Sequence, residues 1–284
     1  NPNGILFETM SVCRSLVSYI QNKQYDTENL FEYNELWQSW DHHGRFSNTD
    51  KHTALANFNA SQLAAHEFVK KADWLIITLG SSFVYRMQEE NRFVANCHKA
   101  PGQWFDKYLM PIDEQIALLD NCIHQLFHAN PKLKIIFTIS PVRHLRDGVV
   151  DNNRSKARLL ETVHHLVNKF DRLFYFPAYE LVIDVLRDYR FYDIDLAHPN
   201  YAATQFVMEK FSDYAFREPT LQLIKEIRQI VTARNHKPFH PGSKQHQQFL
   251  QQHLELTERL QAEHSYLHLS EEVSNFRQQL LSYN

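Results

Sequence analysis

The sequence predicts an α/β domain, a doubly wound parallel sheet, on three observations. Two continuous apolar runs, Trp74-Leu-Ile-Ile-Thr-Leu79 and Lys134-Ile-Ile-Phe-Thr-Ile139, each stop at a small residue, Gly80 and Ser140. Helical periodicities of about ten to twenty residues alternate with these runs. Polar clusters sit directly after them. Short strands alternating with longer helices are the pattern of a parallel sheet wrapped on both faces, whose ligands bind beyond the carboxyl ends of the strands.

Taken in order, Cys13, Leu16, Val17 and Ile20 recur at helical spacing, so residues 9–22 read as an amphipathic helix. Tyr25 to Asp50 is irregular and aromatic, and 60–71 is again helical. Trp74–Leu79 reads as a strand buried on both faces. A loop of roughly thirty residues comes next, a length that in compact domains points to function or disorder. Pro111 opens a helix with Ile112, Ile116, Leu119, Ile123 and Leu126 on one face, and Pro131 lies just beyond its end. Lys134–Ile139 is the second strand, 155–170 the next helix and Leu173–Phe176 a third strand. After Arg217 the composition turns polar. Leu250, Leu254, Leu260 and Leu267 give the Gln- and His-rich segment from Lys244 onward only a thin apolar seam, the mark of a helical appendage that packs on the domain or on another copy. The α/β domain is thus expected over residues 1–217 and a helical extension over 218–284.

The 284 residues, 43% hydrophobic and 22% charged, are enough for a full core. A net charge of −3 and a pI near 6.6 leave no electrostatic footprint for nucleic acid and no basic membrane surface. The apolar runs are far shorter than the roughly twenty residues of a membrane span. Cys13, Cys97 and Cys122 are odd in number and far apart without a C-x-x-C, so neither a disulfide framework nor a structural zinc site is indicated, and a reducing, cytoplasmic setting fits. The 17 histidines scatter outside ligand spacing, and no metal is expected.

The stretch with the most chemistry is Phe191-Tyr-Asp-Ile-Asp-Leu-Ala-His-Pro-Asn200, which sets Asp195 three residues before His198. A carboxylate there can hold one ring nitrogen and leave the other as a base, two thirds of a Ser-His-Asp relay. Ordering of a turn is the commoner use of an isolated D-x-x-H. In the long loop, Asn96 can donate an amide hydrogen to an oxyanion, His98 or Lys99 can hold an acidic or hydroxylated substrate, and Cys97 is either a thiol nucleophile or a packed side chain. Arg143 and His144, just past a strand, are either substrate contacts or members of a surface ion pair with Asp147 or another acid. Trp37-Gln-Ser-Trp-Asp-His-His-Gly-Arg-Phe46 packs His43 and Gly44 among aromatics. Trp37, Trp40, Tyr85 and Trp104 are candidate stacking platforms for sugar rings.

Several segments in one order resemble the GSCFA family: Asn1-Pro-Asn-Gly-Ile-Leu-Phe7, Ser39-Trp-Asp-His-His-Gly44, Thr78-Leu-Gly-Ser-Ser-Phe-Val-Tyr85, Ala95-Asn-Cys-His-Lys99, Thr138 through Gly148 and Tyr192 through Pro199. The resemblance covers residue 1 to about 240. That family is similar to SGNH or GDSL-like hydrolases, so the resemblance implies a flavodoxin-like sheet, a serine that attacks an ester, His198 as base, Asp195 as its orienting acid and Gly44 as a backbone oxyanion donor. The Gly-Ser-Cys-Phe-Ala motif that names the family is absent, and Asn1 to Leu6 resembles the segment that family members carry just after that motif. The expected nucleophile therefore lies upstream of Asn1, on a first strand that this chain lacks. Where SGNH enzymes carry Gly-x-Asn-Asp, this chain has Gly80-Ser81-Ser82-Phe83, so Ser82 or Asn96 would supply the further oxyanion hydrogen. His43, Gly80, Ser81, His98, Lys99, Arg143 and His144 are the expected substrate contacts. The implied function is an esterase or acyl-transferring enzyme on a small-molecule or glycan ester, with no cofactor. Two alternatives are a non-catalytic ligand-binding domain and a nucleophile at Ser81, Ser82 or Cys97.

Overall fold

The computed structural model describes residues 2–282. After an extended start come α1 (Thr9–Gln21), the hairpin β1 (Phe31–Tyr33) and β2 (Leu36–Gln38), α2 (Lys51–Lys71) and β3 (Trp74–Leu79). Next is an antiparallel meander, β4 (Phe83–Met87), β5 (Arg92–Val94) and β6 (Phe105–Leu109), then α3 (Ile112–Ala129), β7 (Lys134–Ile139), α4 (Gly148–Lys169) and β8 (Leu173–Tyr175). The chain ends in the short α5 (Ala178–Glu180), which runs on into a π-helical turn, then α6 (Tyr201–Ala215), α7 (Glu218–Arg234), α8 (Lys244–Glu263) and α9 (Ser270–Leu281). The protein is mixed α/β, with a parallel sheet and C-terminal helices.

The parallel sheet has the order β3-β7-β8, with Ile77 opposite Phe137 and Leu79 opposite Ile139. Because each crossover adds its strand on the same side, right-handed connections deliver α3 and α4 to one face. The core confirms this by parity. Ile77, Leu79, Ile135, Phe137, Ile139 and Leu173 pack with the apolar stripes of α1, α3 and α4. The opposite face is covered at β7, where α5 packs and Ile136 is buried, but not at β3, where Trp74 and Ile76 are 46% and 54% exposed. The expectation of a strand buried on both faces is corrected for β3: only every second side chain meets a helix. Its outer edge has no strand partner among the described residues.

The thirty-residue loop is corrected too. It folds as the meander β5-β4-β6, with Phe83 opposite Leu109 and Tyr85 opposite Val94. Its inner face joins Met87, Val94 and Phe105 to Trp40 in a separate small core. Another cluster sets Phe58 of α2 beneath Tyr25. His42 stacks on Phe58 at 4.4 Å, is 1% exposed, and is pulled down to about 4 by burial. The unfolded chain, with an ordinary histidine, takes up that proton first, so His42 contributes stability that is complete above about pH 6.5 and is lost as pH falls toward 4. Urea titrations at pH 7.5 and 5 should show the wild type losing roughly 1–2 kcal/mol more than His42→Phe; equal losses would refute the assignment.

The chain divides into two compact units, Asn1–Val207 and Met208–Asn284. The boundary falls inside α6, ten residues before the composition change at Arg217, because packing rather than a helix end sets it. In the second unit α7, α8 and α9 bury Ile230, Leu250, Leu254, Leu260 and Phe276 together, and Arg259 of α8 pairs with Glu226 of α7 at 3.1 Å. The thin seam is thus enough for a small three-helix core. No helix among the described residues is long and apolar enough to cross a membrane.

Candidate functional site

The loop before α6 builds the centre of the site. Asp195 accepts backbone N–H bonds from Ala197 at 2.9 Å and His198 at 3.0 Å through one carboxylate oxygen, and the other oxygen lies 2.6 Å from His198 Nδ1. The N–H of His198, then that of Ala197 and the imidazole hold the Asp195 carboxyl down to about 2. With Nδ1–H donating to a carboxylate, neutral His198 carries its free lone pair on Nε2, the tautomer a general base needs. The turn is fixed around them. Asp193 N–H donates to His198 O at 2.8 Å, Leu196 takes φ +57°, and Tyr192 bridges Pro199. Asn200 Oδ1 accepts from Ala203 N at the start of α6, while its amide nitrogen donates to Arg190 O at 2.7 Å. His198 itself is exposed, with its ring open to a ligand.

A chain of contacts carries this loop to the strand ends. Arg143, just after β7, donates its backbone N–H to Ala197 O at 3.2 Å and a guanidinium N–H to Leu196 O at 3.3 Å. His144 Nε2 bonds Gly80 O at 3.1 Å, the carbonyl that leaves β3. Lys156 of α4, 1% exposed, donates to Gly80 O and to Ser140 O, both at 2.6 Å, and so clamps the carboxyl ends of β3 and β7 together. Burial pulls its ammonium down to about 7. Burial, with the charge of Lys156 beside it, also lowers His144. Gly80 N–H and Ser81 N–H donate to Phe7 O at 2.7 and 3.0 Å, which brings the N-terminal segment onto the same rim.

That segment holds the other pole. Asn3, 1% exposed, accepts at its backbone carbonyl from His43 N–H at 2.8 Å, donates from its amide to Asp41 O and shares two bonds with Tyr19 OH. Gly4 has φ +85°, and a Cβ there would sit 2.2 Å from His43 Cβ, so no other residue fits. Asp41 is partly buried, which opposes its charge, yet Arg14, Arg92 and Lys23 together hold its carboxyl below the usual range. Gly44 comes next, exposed and opening a short 3₁₀ turn, with no acceptor for its N–H among the described residues. Facing it is the Asn96–Lys99 loop, where His98 and Lys99 both take the left-handed conformation at φ +49° and +60°. Asn96 Oδ1 accepts from His98 N at 2.8 Å, and His98 Nε2 bonds Ser39 O at 2.8 Å, with Nδ1 on the side of Gly44. Burial lowers the His98 imidazole, which favours its neutral form.

The structure therefore links Asp195, His198, Arg143, His144 and Gly80 along one rim, and sets His43, Gly44, Asn96, His98 and Lys99 together at the loops anchored by Asn3. Other expectations need correction. Ser82 is 1% exposed and its hydroxyl donates to Ser155 O at 2.9 Å, so it is a buried strut and not an oxyanion donor. Ser81 is buried with its oxygen accepting from Phe83 N, and Gly80 has both backbone groups engaged, which withdraws them from substrate contact. Among the described residues, the hydroxyls of these serines meet Ser155, Gln115 and the Phe83 N–H, and no histidine or carboxylate. Burial pushes the Cys97 thiol up to about 11, the opposite of a reactive thiolate. Trp40 is buried and stacked on Phe31 at 3.7 Å, so it packs the small core; Trp104 is the exposed member of that set. Asp147 pairs with Lys107, leaving Arg143 without it.

Asn3, Gly4 and Lys156 were not singled out by sequence. Lys156 did leave a sign, since it is the one charged residue in the buried stripe that runs through Asn152, Ser155, Leu159 and Val163 on α4.

No curated protein and no solved structure matches the chain. A family model described as the GSCFA family matches residues 1–211, and one described as the GSCFA domain protein, C-terminal domain, matches residues 227–282, over the three-helix unit. With both segments matched, the chain belongs to the GSCFA family.

Proposed function

We propose that this chain carries the base and oxyanion side of an SGNH-like serine esterase or acyl-transferring enzyme acting on O-acyl groups of a carbohydrate. The observation that carries the reading is the 2.6 Å contact between Asp195 and His198 Nδ1, which leaves Nε2 exposed on the rim. The nucleophile is a serine on a strand preceding Asn1. Two features support a seat for that strand: the open edge of β3, and the groove of about 380 Å³ along it, lined by Ile5, Phe7, Leu75, Ile76 and Thr78 among others. A parallel strand in that groove would end beside Gly80.

In the reaction the serine oxygen attacks the acyl carbonyl carbon while His198 Nε2 takes the hydroxyl proton. Asp195 holds the ring and offsets the imidazolium charge. Gly44 N–H and the Asn96 amide donate to the tetrahedral oxyanion. On collapse the imidazolium returns its proton to the leaving sugar oxygen. Water, or a second hydroxyl in transfer, then attacks the acyl-serine with His198 again as base. Fluorophosphonate labelling of the full-length protein beside this 284-residue chain, with the adduct mapped by mass spectrometry, tests the assignment. The expected label falls on a serine upstream of Asn1, only in the longer protein and only with His198 intact. No label in either form would favour a ligand-binding domain without catalysis.

A further inference from the structure

The cavity beside the His198 loop bears on what the substrate looks like, and the inference rests on the ester-cleaving reading above. It measures about 380 Å³, lies between the loop after β7, the start of α4 and the Asp195–His198 turn, and has apolar walls from Leu145, Val149, Ile183 and Leu196. One cation, Arg143, enters that lining. Its guanidinium lies 4.3 Å from the ring centre of Tyr192 and 5.3 Å from that of Tyr189. A guanidinium over aromatic rings can keep its N–H groups for other partners, and among the described residues the Arg143 side chain has one acceptor, Leu196 O at 3.3 Å. No carboxylate oxygen lies within 4.0 Å of it among the described residues. Of the acids around it, Asp147 pairs with Lys107, Asp195 holds His198 and Ala197, and Glu180 accepts from Tyr175 OH, while Asp184 acts on Tyr179 at the far side of the lining without an ion pair to Arg143. Asn153, whose oxygen accepts from Asn152, adds an amide to the same lining.

We propose that this cavity binds an anionic group of the substrate, a carboxylate or a phosphate, against the edge of Arg143, with the carbon skeleton next to it on the apolar wall. An unpaired guanidinium on aromatic faces, partly shielded from water, is a strong site for a planar or tetrahedral oxyanion. Its two bonds to the turn that holds His198 fix the anion at a constant offset from the base. The substrate class is therefore an acyl ester that carries a negative charge a few bonds from the scissile carbonyl.

Three acetyl esters test this in the full-length protein: 4-acetoxybenzoate, 4-acetoxyphenyl phosphate and the neutral methyl 4-acetoxybenzoate. At low salt, kcat/KM should favour one or both anionic esters over the neutral one by about tenfold or more, and the favoured one identifies carboxylate or phosphate as the ligand. Arg143→Gln should abolish that ratio, whatever it does to overall turnover, and Arg143→Lys should keep part of it. A ratio near one in the wild type, or a ratio that survives Arg143→Gln, overturns the proposal. NMR titration of this 284-residue chain with 4-acetoxybenzoate and 4-acetoxyphenyl phosphate separates it from the catalytic reading. If no ester is hydrolysed yet either probe binds with Arg143-dependent shifts, the anion site stands and the chemistry falls; binding equal in Arg143→Gln, or no binding of either probe, sinks the site.

Discussion

If the protein is the proposed esterase, replacing His198 by Ala in the full-length protein should lower ester turnover by about 10⁴-fold while leaving ester binding measurable, because the loss is confined to proton transfer. Asp195→Asn is the more discriminating change. Asn keeps an oxygen to accept the N–H groups of Ala197 and His198, so the turn survives. Its other arm is an NH₂ group facing His198 Nδ1, which drives the ring proton to Nε2 and blocks the base. Turnover should fall by about 10²–10⁴-fold with little change in unfolding temperature. Steady-state kinetics on one neutral aryl ester, with thermal denaturation alongside, reads both effects. If His198→Ala retains more than a tenth of wild-type turnover, the base is another residue.

The largest effect on stability should come from Lys156. Lys156→Ala removes the donor shared by Gly80 O and Ser140 O, leaves a cavity in a fully buried place, and is expected to cost about 3–5 kcal/mol. Lys156→Met keeps the volume and removes a buried charge, and Gly80 O still accepts from His144, so it should cost only about 1–3 kcal/mol. The sign of the pH effect comes from burial. The folded lysine loses its proton near pH 7 and the unfolded one near its ordinary value of 10.5. Between those values the unfolded chain binds the extra proton, so wild-type stability rises with pH relative to the Met variant. The neutral amine still has two N–H groups, one for each carbonyl. Urea unfolding at pH 7 and 9.5 measures this; a wild-type advantage that shrinks as pH rises would show that the carbonyls hold the ammonium charged.

β3 and β7 were legible to the residue because a continuous run of Leu, Ile and Phe has no other use at that length, and α3 because Pro111 marks its start. The Asp195–His198 pair was legible because its partners are three residues apart and the turn between them is local. The meander β4-β5-β6 was not: Phe83-Val-Tyr-Arg-Met87 alternates too briefly to register, and pairing with Phe105–Leu109 defines it. Asn3 and Lys156 escaped for a related reason. Their roles are bonds to Tyr19, His43, Gly80 and Ser140 across 16 to 76 residues of chain, and no local pattern encodes a hydrogen bond of that span. Burial then reversed the meaning of Ser81, Ser82 and Trp40, whose residue types alone suggested a wet site.

The anchoring of Phe7 on Gly80 also has a kinetic side. β7 pairs with β8 at a separation of 38 residues (Ile135 opposite Leu173) and with β3 at 60 (Trp74 opposite Lys134), and contacts nearer in sequence tend to form first. The bonds from Gly80 and Ser81 to Phe7 close a loop of more than seventy residues, and those from Asn3 to the His43 loop depend on the same docking. The two donors sit at the end of β3, so this closure follows the pairing that positions that strand end. The docking of Phe7 on the end of β3 is therefore completed late, so a refolding chain should regain its compact secondary structure before the N-terminal segment reaches its place beside Gly80.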